Sequence, residues 1–135
     1  VSSISINIIS NTTPGNSVVA IYDLDSSGYP STKLFQTSEF DNTIIGLQTI
    51  SVTPYTLQGG KNYAVVFQSS NPIGNMRRFG YAGSNNTLIW GADGGLSVYG
   101  LLAVTNTYNS TFPTNFPAGA SMNTTAQIAV YFQRT

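Results

Sequence analysis

The sequence predicts an all-β protein, a single β-sandwich domain spanning residues 1–135, of jelly-roll type, with seven to eight or more short strands and no substantial helix. Three observations carry this. Apolar residues recur at every second position nearly throughout, the period of a half-buried strand. The alternating segments are rich in Val, Ile, Tyr and Phe, which suit a pleated surface. Clusters of Gly, Pro, Asn, Asp and Ser separate those segments, and no window carries an apolar stripe at helical spacing.

In chain order, Ile4, Ile6 and Ile8 alternate with Ser5 and Asn7 to give a first strand, closed by the turn cluster NTTPGN at 11–16. SVVAIYD (17–23) follows, then DSSGYP (25–30), then a shorter segment KLFQTSEF (33–40). QTISV (48–52) and NYAVVFQ (62–68) flank QGGKN, and SSNPIGN (69–75) ends the second of them. TLIWG (87–91) is short; after GADGG come LSVYGLLAV (96–104) and finally AQIAVYFQ (126–133). Residues 105–125, TNTYNSTFPTNFPAGASMNTT, form the one long irregular segment, and a loop of that length in a compact domain is functional or packed along a surface. Its two Phe-Pro pairs favour packing: Phe112 and Phe116 anchor, while Pro113 and Pro117 stiffen an extended backbone.

Composition narrows the chemistry. The chain has no cysteine, so disulfides, thiolate nucleophiles and cysteine metal sites are excluded, and no histidine, the commonest general base and metal ligand. Charged residues are 7% of the chain, against roughly a quarter in an average soluble protein, and formal net charge is zero. No basic footprint for nucleic acid or an anionic membrane exists, and no apolar run approaches the roughly 18 residues of a membrane span. Hydrophilicity comes from Ser, Thr and Asn, a surface common on proteins that work outside cells, so an extracellular setting (secreted, cell surface or virion) is expected. The first residue is Val1 rather than Met, which leads us to expect a removed signal peptide, upstream domain or tag.

Asp23, Asp25, Ser27 and Gly28 follow the opening of a calcium loop. A twelve-residue loop starting at Asp23 requires a bidentate acid at its last position, however, and Leu34 stands there. A hairpin needs only Gly28 for a positive-φ turn and Pro30 to fix the exit, so a turn without metal is expected.

ISINIIS, SVVAIYDLDSSGYPSTKLFQTS and TPYTLQGGKNYAVVFQSS together resemble a β-sandwich domain that recurs in secreted surface proteins of bacteria and archaea and in phage fibres. The shared pattern is a first strand, Ile-Tyr before a polar Gly-x-Pro turn, a short Leu-led strand, and Leu-x-x-Gly-x-x-Tyr entering a core strand, matched by Leu57, Gly60 and Tyr63. FPTNFPAGAS and AQIAVYF resemble that group's closing segment; Ser31 stands where a second Gly usually follows the proline. The resemblance implies a non-catalytic extracellular module, and its motifs are turns and core positions, so no functional residue is carried over.

For acid–base work only Asp23, Asp25, Glu39, Asp41 and Asp93 are available. Glu39 and Asp41, two apart on a strand, would share a face at about 7 Å; glycosidase carboxylates normally lie across a cleft between elements. No enzyme activity, catalytic residue or cofactor is expected. The leading expectation is a structural or adhesion module, a subunit or display domain of a cell-surface filament, appendage or virion fibre that self-associates. The alternative is a glycan-binding (receptor-binding) module, for which Tyr81, Trp90, Tyr99 and Tyr108 are candidate flat faces, with core packing as the competing role of Trp90. Arg77-Arg78 beside Phe79 and Tyr81 is a weak signal for an acidic partner. Four Asn-x-Ser/Thr sequons, at Asn11, Asn85, Asn109 and Asn123, fall in expected loops and are candidate glycan acceptors. Val1–Ser10 holds neither Lys nor Pro, so it is suited to pairing with a sheet, its own or a neighbour's.

Overall fold

The first strand of the expectation lies in the middle of a sheet. In the computed structural model, which describes residues 1–11, 13–71, 75–76, 101–103, 108–118, 121–123 and 130–133, β1 spans Ser3–Ser10. On one side it pairs antiparallel with β5 (Gly46–Ser51), from Ser3–Ser51 to Ile8–Gly46. On its other side it pairs with β10 (Val130–Gln133), and Ile8 and Ser10 pair with β7 (Asn75–Met76). Both edges of β1 are therefore satisfied within the chain.

The second sheet is built on β2 (Asn16–Leu24), which pairs with β6 (Tyr63–Ser69) along Ser17–Asp23. Its opposite edge takes β3 (Pro30–Gln36) at Ala20–Leu24 and β4 (Phe40–Asp41) at Asn16–Ser17. The expected strand 33–40 is thus two strands with a break between them. Thr37 explains the break: its N–H donates to the Val19 carbonyl at 2.9 Å, while its hydroxyl accepts from the Val19 N–H at 3.1 Å, where a backbone carbonyl would otherwise accept. A two-stranded ladder, β8 (Leu101–Ala103) with β9 (Ser121–Asn123), completes the set. The described residues are all strand, turn and irregular chain, with no helix.

Alternation does its expected work. Ile4, Ile6 and Ile8 from the first sheet, and Val19, Ile21 and Phe35 from the second, join Phe40 and Val52 in one buried cluster. Each fully buried side chain of this kind contributes about 1.5–3 kcal/mol relative to exposure. The sheets thus share a core.

β2 differs from a half-buried strand because its other face is covered too. Val18, Ala20 and Tyr22 are also fully buried, packed with Phe112 and against Tyr108 and Phe116. The cover is residues 108–118, which run along the outer edge of β3. The Lys33 N–H donates to the Thr114 carbonyl and the Phe116 N–H to the Ser31 carbonyl, each at 2.7 Å, around an antiparallel bridge between Thr32 and Asn115. The packing expected of the Phe-Pro pairs is what the structure shows.

The Leu-x-x-Gly-x-x-Tyr stretch also has a physical explanation. Leu57 and Tyr63 pack against the shared core, Gly60 takes a φ of +78° that L side chains rarely adopt, and the Tyr63 hydroxyl accepts from the Gln58 N–H at 2.8 Å. Tyrosine and glycine together fix one tight entry to β6.

Candidate functional site

Asp23 and Asp25 sit at the β2–β3 connection, which is a hairpin. The Asp25 N–H donates to the Tyr29 carbonyl at 2.8 Å, and the Gly28 N–H donates to the Asp25 carbonyl at 3.0 Å. Gly28 has a φ of +83°, the conformation for which glycine was expected there. The Asp25 carboxylate caps the turn, accepting from the Ser27 N–H at 2.8 Å and the Tyr29 N–H at 2.9 Å. Asp23 accepts from the Leu24 N–H at 3.0 Å and pairs with the Lys61 ammonium at 2.9 Å. The hydrogen bond from Lys61, then that from the Leu24 amide, holds Asp23 below the usual carboxylate range, and the same contact raises Lys61 above its own. The pair is solvated, so it contributes little to stability. Between this hairpin and the Gly60–Asn62 turn lies an open depression of about 210 Å³, lined by Asp23, Leu24, Asp25, Gly28, Gly60, Lys61 and Asn62.

The other described carboxylates are equally committed. Asp41 accepts from the Thr43 hydroxyl at 2.7 Å and the Thr43 N–H at 2.8 Å, bonds that lower its pKa in that order. Glu39 precedes β4 instead of lying within a strand with Asp41, and accepts a 2.5 Å hydrogen bond from the Tyr108 hydroxyl. Burial, then the bond to Glu39, pushes the Tyr108 phenol up to about 12. Two carboxylates expected to share a face are instead bound into separate local structures. Asp93 lies outside the described residues, and among the described residues no group of three or more Asp, Glu, His or Cys is arranged to hold a metal.

Of the aromatic candidates for glycan contact, Tyr108 is half-buried at the end of the covering segment, with its hydroxyl engaged by Glu39. Tyr81, Trp90 and Tyr99 lie outside the described residues, as do Arg77 and Arg78. Among the sequons, Asn109 is exposed, its side-chain oxygen accepting from the Thr111 N–H at 3.0 Å. Asn11 is half-buried, and its amide nitrogen donates to the side-chain oxygen of Asn42 at 2.8 Å and to the Asn42 carbonyl at 3.0 Å. Asn123 ends β9, paired with Leu101, where a loop was expected; Asn85 lies outside the described residues.

Two groups that sequence reasoning passed over hold the covering segment in place. The Lys33 ammonium donates to the Phe112 carbonyl at 2.5 Å and to the Gln36 side-chain oxygen at 2.9 Å. Gln36 also accepts from the Phe112 N–H and donates to the Ser110 carbonyl, both at 3.0 Å. A second network surrounds Asn42, which is fully buried and donates to the hydroxyls of Ser17 at 3.2 Å and Ser69 at 2.8 Å. The only sequence signal was a lysine and a glutamine on a short strand and an asparagine in a turn, residue types that are usually solvated. No helix among the described residues is long and apolar enough to cross a membrane. Compared with protein-family models, curated proteins and solved structures, the chain matches none.

Proposed function

We propose that the chain is a non-enzymatic extracellular structural or adhesion module, a jelly-roll-type β-sandwich serving as a subunit or display domain of a cell-surface filament, appendage or virion fibre. The observation that supports it most is the fate of the carboxylates. Asp23, Asp25, Glu39 and Asp41 are each bound to a neighbouring ammonium, hydroxyl or amide, and in a chain without His or Cys that leaves the described residues no assembled acid–base pair. A core shared by two sheets, and a segment laid over one sheet's edge, suit a module whose task is to hold shape. The sandwich and jelly-roll assignments rest on that shared core and on the resemblance to secreted surface domains.

The test is a panel of polysaccharide and glycoside substrates, assayed with the wild-type chain and with Glu39→Gln and Asp41→Asn. We expect no turnover by any of the three. Turnover by wild type that both substitutions abolish would overturn the non-enzymatic reading. Binding without turnover on a glycan array would favour the glycan-recognition alternative.

A further inference from the structure

Two sequons, Asn11-Thr12-Thr13 and Asn109-Ser110-Thr111, begin outside the strands among the described residues, and they share one local geometry. In each, the Asn side-chain oxygen accepts from the N–H two residues on, that of Thr13 at 3.2 Å and that of Thr111 at 3.0 Å. Such an Asx turn commits the oxygen and leaves the amide nitrogen, with its two N–H donors, to other partners. Thr13 and Thr111, whose hydroxyls complete the sequons, are both exposed. The difference lies in the nitrogen.

The Asn11 nitrogen is bonded twice to Asn42, to its side-chain oxygen at 2.8 Å and to its carbonyl at 3.0 Å. Asn42 is fully buried, and Asn11 is half-buried beside it. The Asn109 nitrogen, by contrast, donates to no group among the described residues, and Asn109 is exposed. Its neighbours fix the sequon to the surface: the Ser110 carbonyl accepts from Gln36 at 3.0 Å, and the Phe112 ring is buried.

We infer that Asn109 is the N-glycan acceptor of the folded chain and that Asn42 shuts Asn11 out of the same reaction. This rests on the extracellular reading above and names a modified atom within it. In the transfer, Asn109 Nδ2 attacks the anomeric carbon of a lipid-diphosphate-linked oligosaccharide. The C–N bond forms, the C–O bond to the diphosphate breaks, the diphosphate leaves with the electron pair, and one Nδ2 proton passes to a base of the transferase. The product nitrogen keeps a single hydrogen. On Asn11 that chemistry must break at least one bond to Asn42 and place a bulky sugar beside a buried side chain. On Asn109 it leaves the bond from the Thr111 N–H to the side-chain oxygen untouched.

The experiment treats the purified, folded whole chain with a single-subunit oligosaccharyltransferase that accepts the plain Asn-x-Ser/Thr sequon, and with that enzyme's polyprenyl-diphosphate-linked oligosaccharide. Peptides of residues 7–15 and 105–113 are treated in parallel, and site occupancy is followed by glycopeptide mass after chymotrypsin. Asn109 should be modified in the folded chain. Asn11, relative to its own peptide, should be slower than Asn109 by roughly tenfold or more, because two hydrogen bonds must open first. Equal relative rates, or a faster Asn11, overturn the exclusion. A folded chain left bare at Asn109 while its peptide is modified overturns the acceptor assignment. A peptide that is itself inert places the preference in the local sequence and overturns the structural cause. Because enzyme and donor are supplied, the result is independent of native location: modification at Asn109 in a chain that builds no filament, appendage or fibre would sink only the function proposed above.

Discussion

The Tyr22 hydroxyl donates a 2.6 Å hydrogen bond to the Pro113 carbonyl, 91 residues along the chain. The same ring meets Phe116 edge-on at 5.5 Å and Phe112 edge-on at 6.3 Å between centroids. A core strand and a late irregular segment are tied at one residue, by a polar tip and an apolar body together. The segment thereby covers one face of the second sheet and the edge of β3.

Removing the two kinds of tie should have different costs. Tyr22→Phe keeps the ring and loses the hydrogen bond, an expected loss of about 1 kcal/mol, because water can reach the exposed Pro113. Phe112→Ala removes a buried ring and should cost about 3 kcal/mol or more. Urea unfolding of both variants checks the order; equal costs would contradict the larger share given to the buried ring, and no cost for Phe112→Ala would mean that the segment is not part of the cooperative structure.

Alkaline stability follows from two tyrosines. Burial pushes the Tyr22 phenol up to about 12, and Tyr108 is pushed to about 12 by burial and by Glu39. An unfolded tyrosine titrates near 10, so the folded state resists ionisation of both. The stability this represents is fully present below about pH 10 and is lost as pH rises toward 12. In a phenolate absorbance titration of the folded chain, Tyr22 and Tyr108 should ionise late, and Tyr22→Phe and Tyr108→Phe should each remove one late-ionising phenol. Titration of both near pH 10 in the folded protein would contradict the burial described.

Asn42 is the polar counterpart of that tie. It is fully buried between the Ser17 and Ser69 hydroxyls and the Asn11 amide, and its N–H donates to the Gly15 carbonyl at 3.0 Å. Asn42→Ala leaves Ser17, itself fully buried, without that partner, and should cost about 2 kcal/mol. A thermal melt within a degree of wild type would show that water replaces the network.

The hairpin carries the expectation about metal. Asp25 accepts two backbone N–H groups and Asp23 is paired with Lys61, so neither carboxylate needs an ion to be satisfied. Adding a chelator should leave the melting temperature unchanged; a fall of more than a few degrees would mean that the turn holds calcium.

Most strands were legible because period-two alternation and turn residues agree locally. SVVAIYD became β2 and NYAVVFQ became β6 within a residue or two at each end. What local pattern could not carry was pairing at a distance. The break at Thr37 depends on Val19 opposite it, and β9 arises inside a segment that reads as irregular because its ladder is with residues 101–103. Two-sided burial of β2 was half legible, since Val18, Val19, Ala20, Ile21 and Tyr22 run apolar without interruption. The carboxylates were read as types and spacings; only the fold revealed that Glu39 answers to Tyr108 and Asp41 to Thr43.

The central claim is that this is a building block, and imaging its native assembly tests that most directly. Electron microscopy of native-source material, with an antibody against this domain, should decorate a filament, appendage or fibre at regular intervals. Label found only on dispersed single particles of one chain's mass would contradict the account.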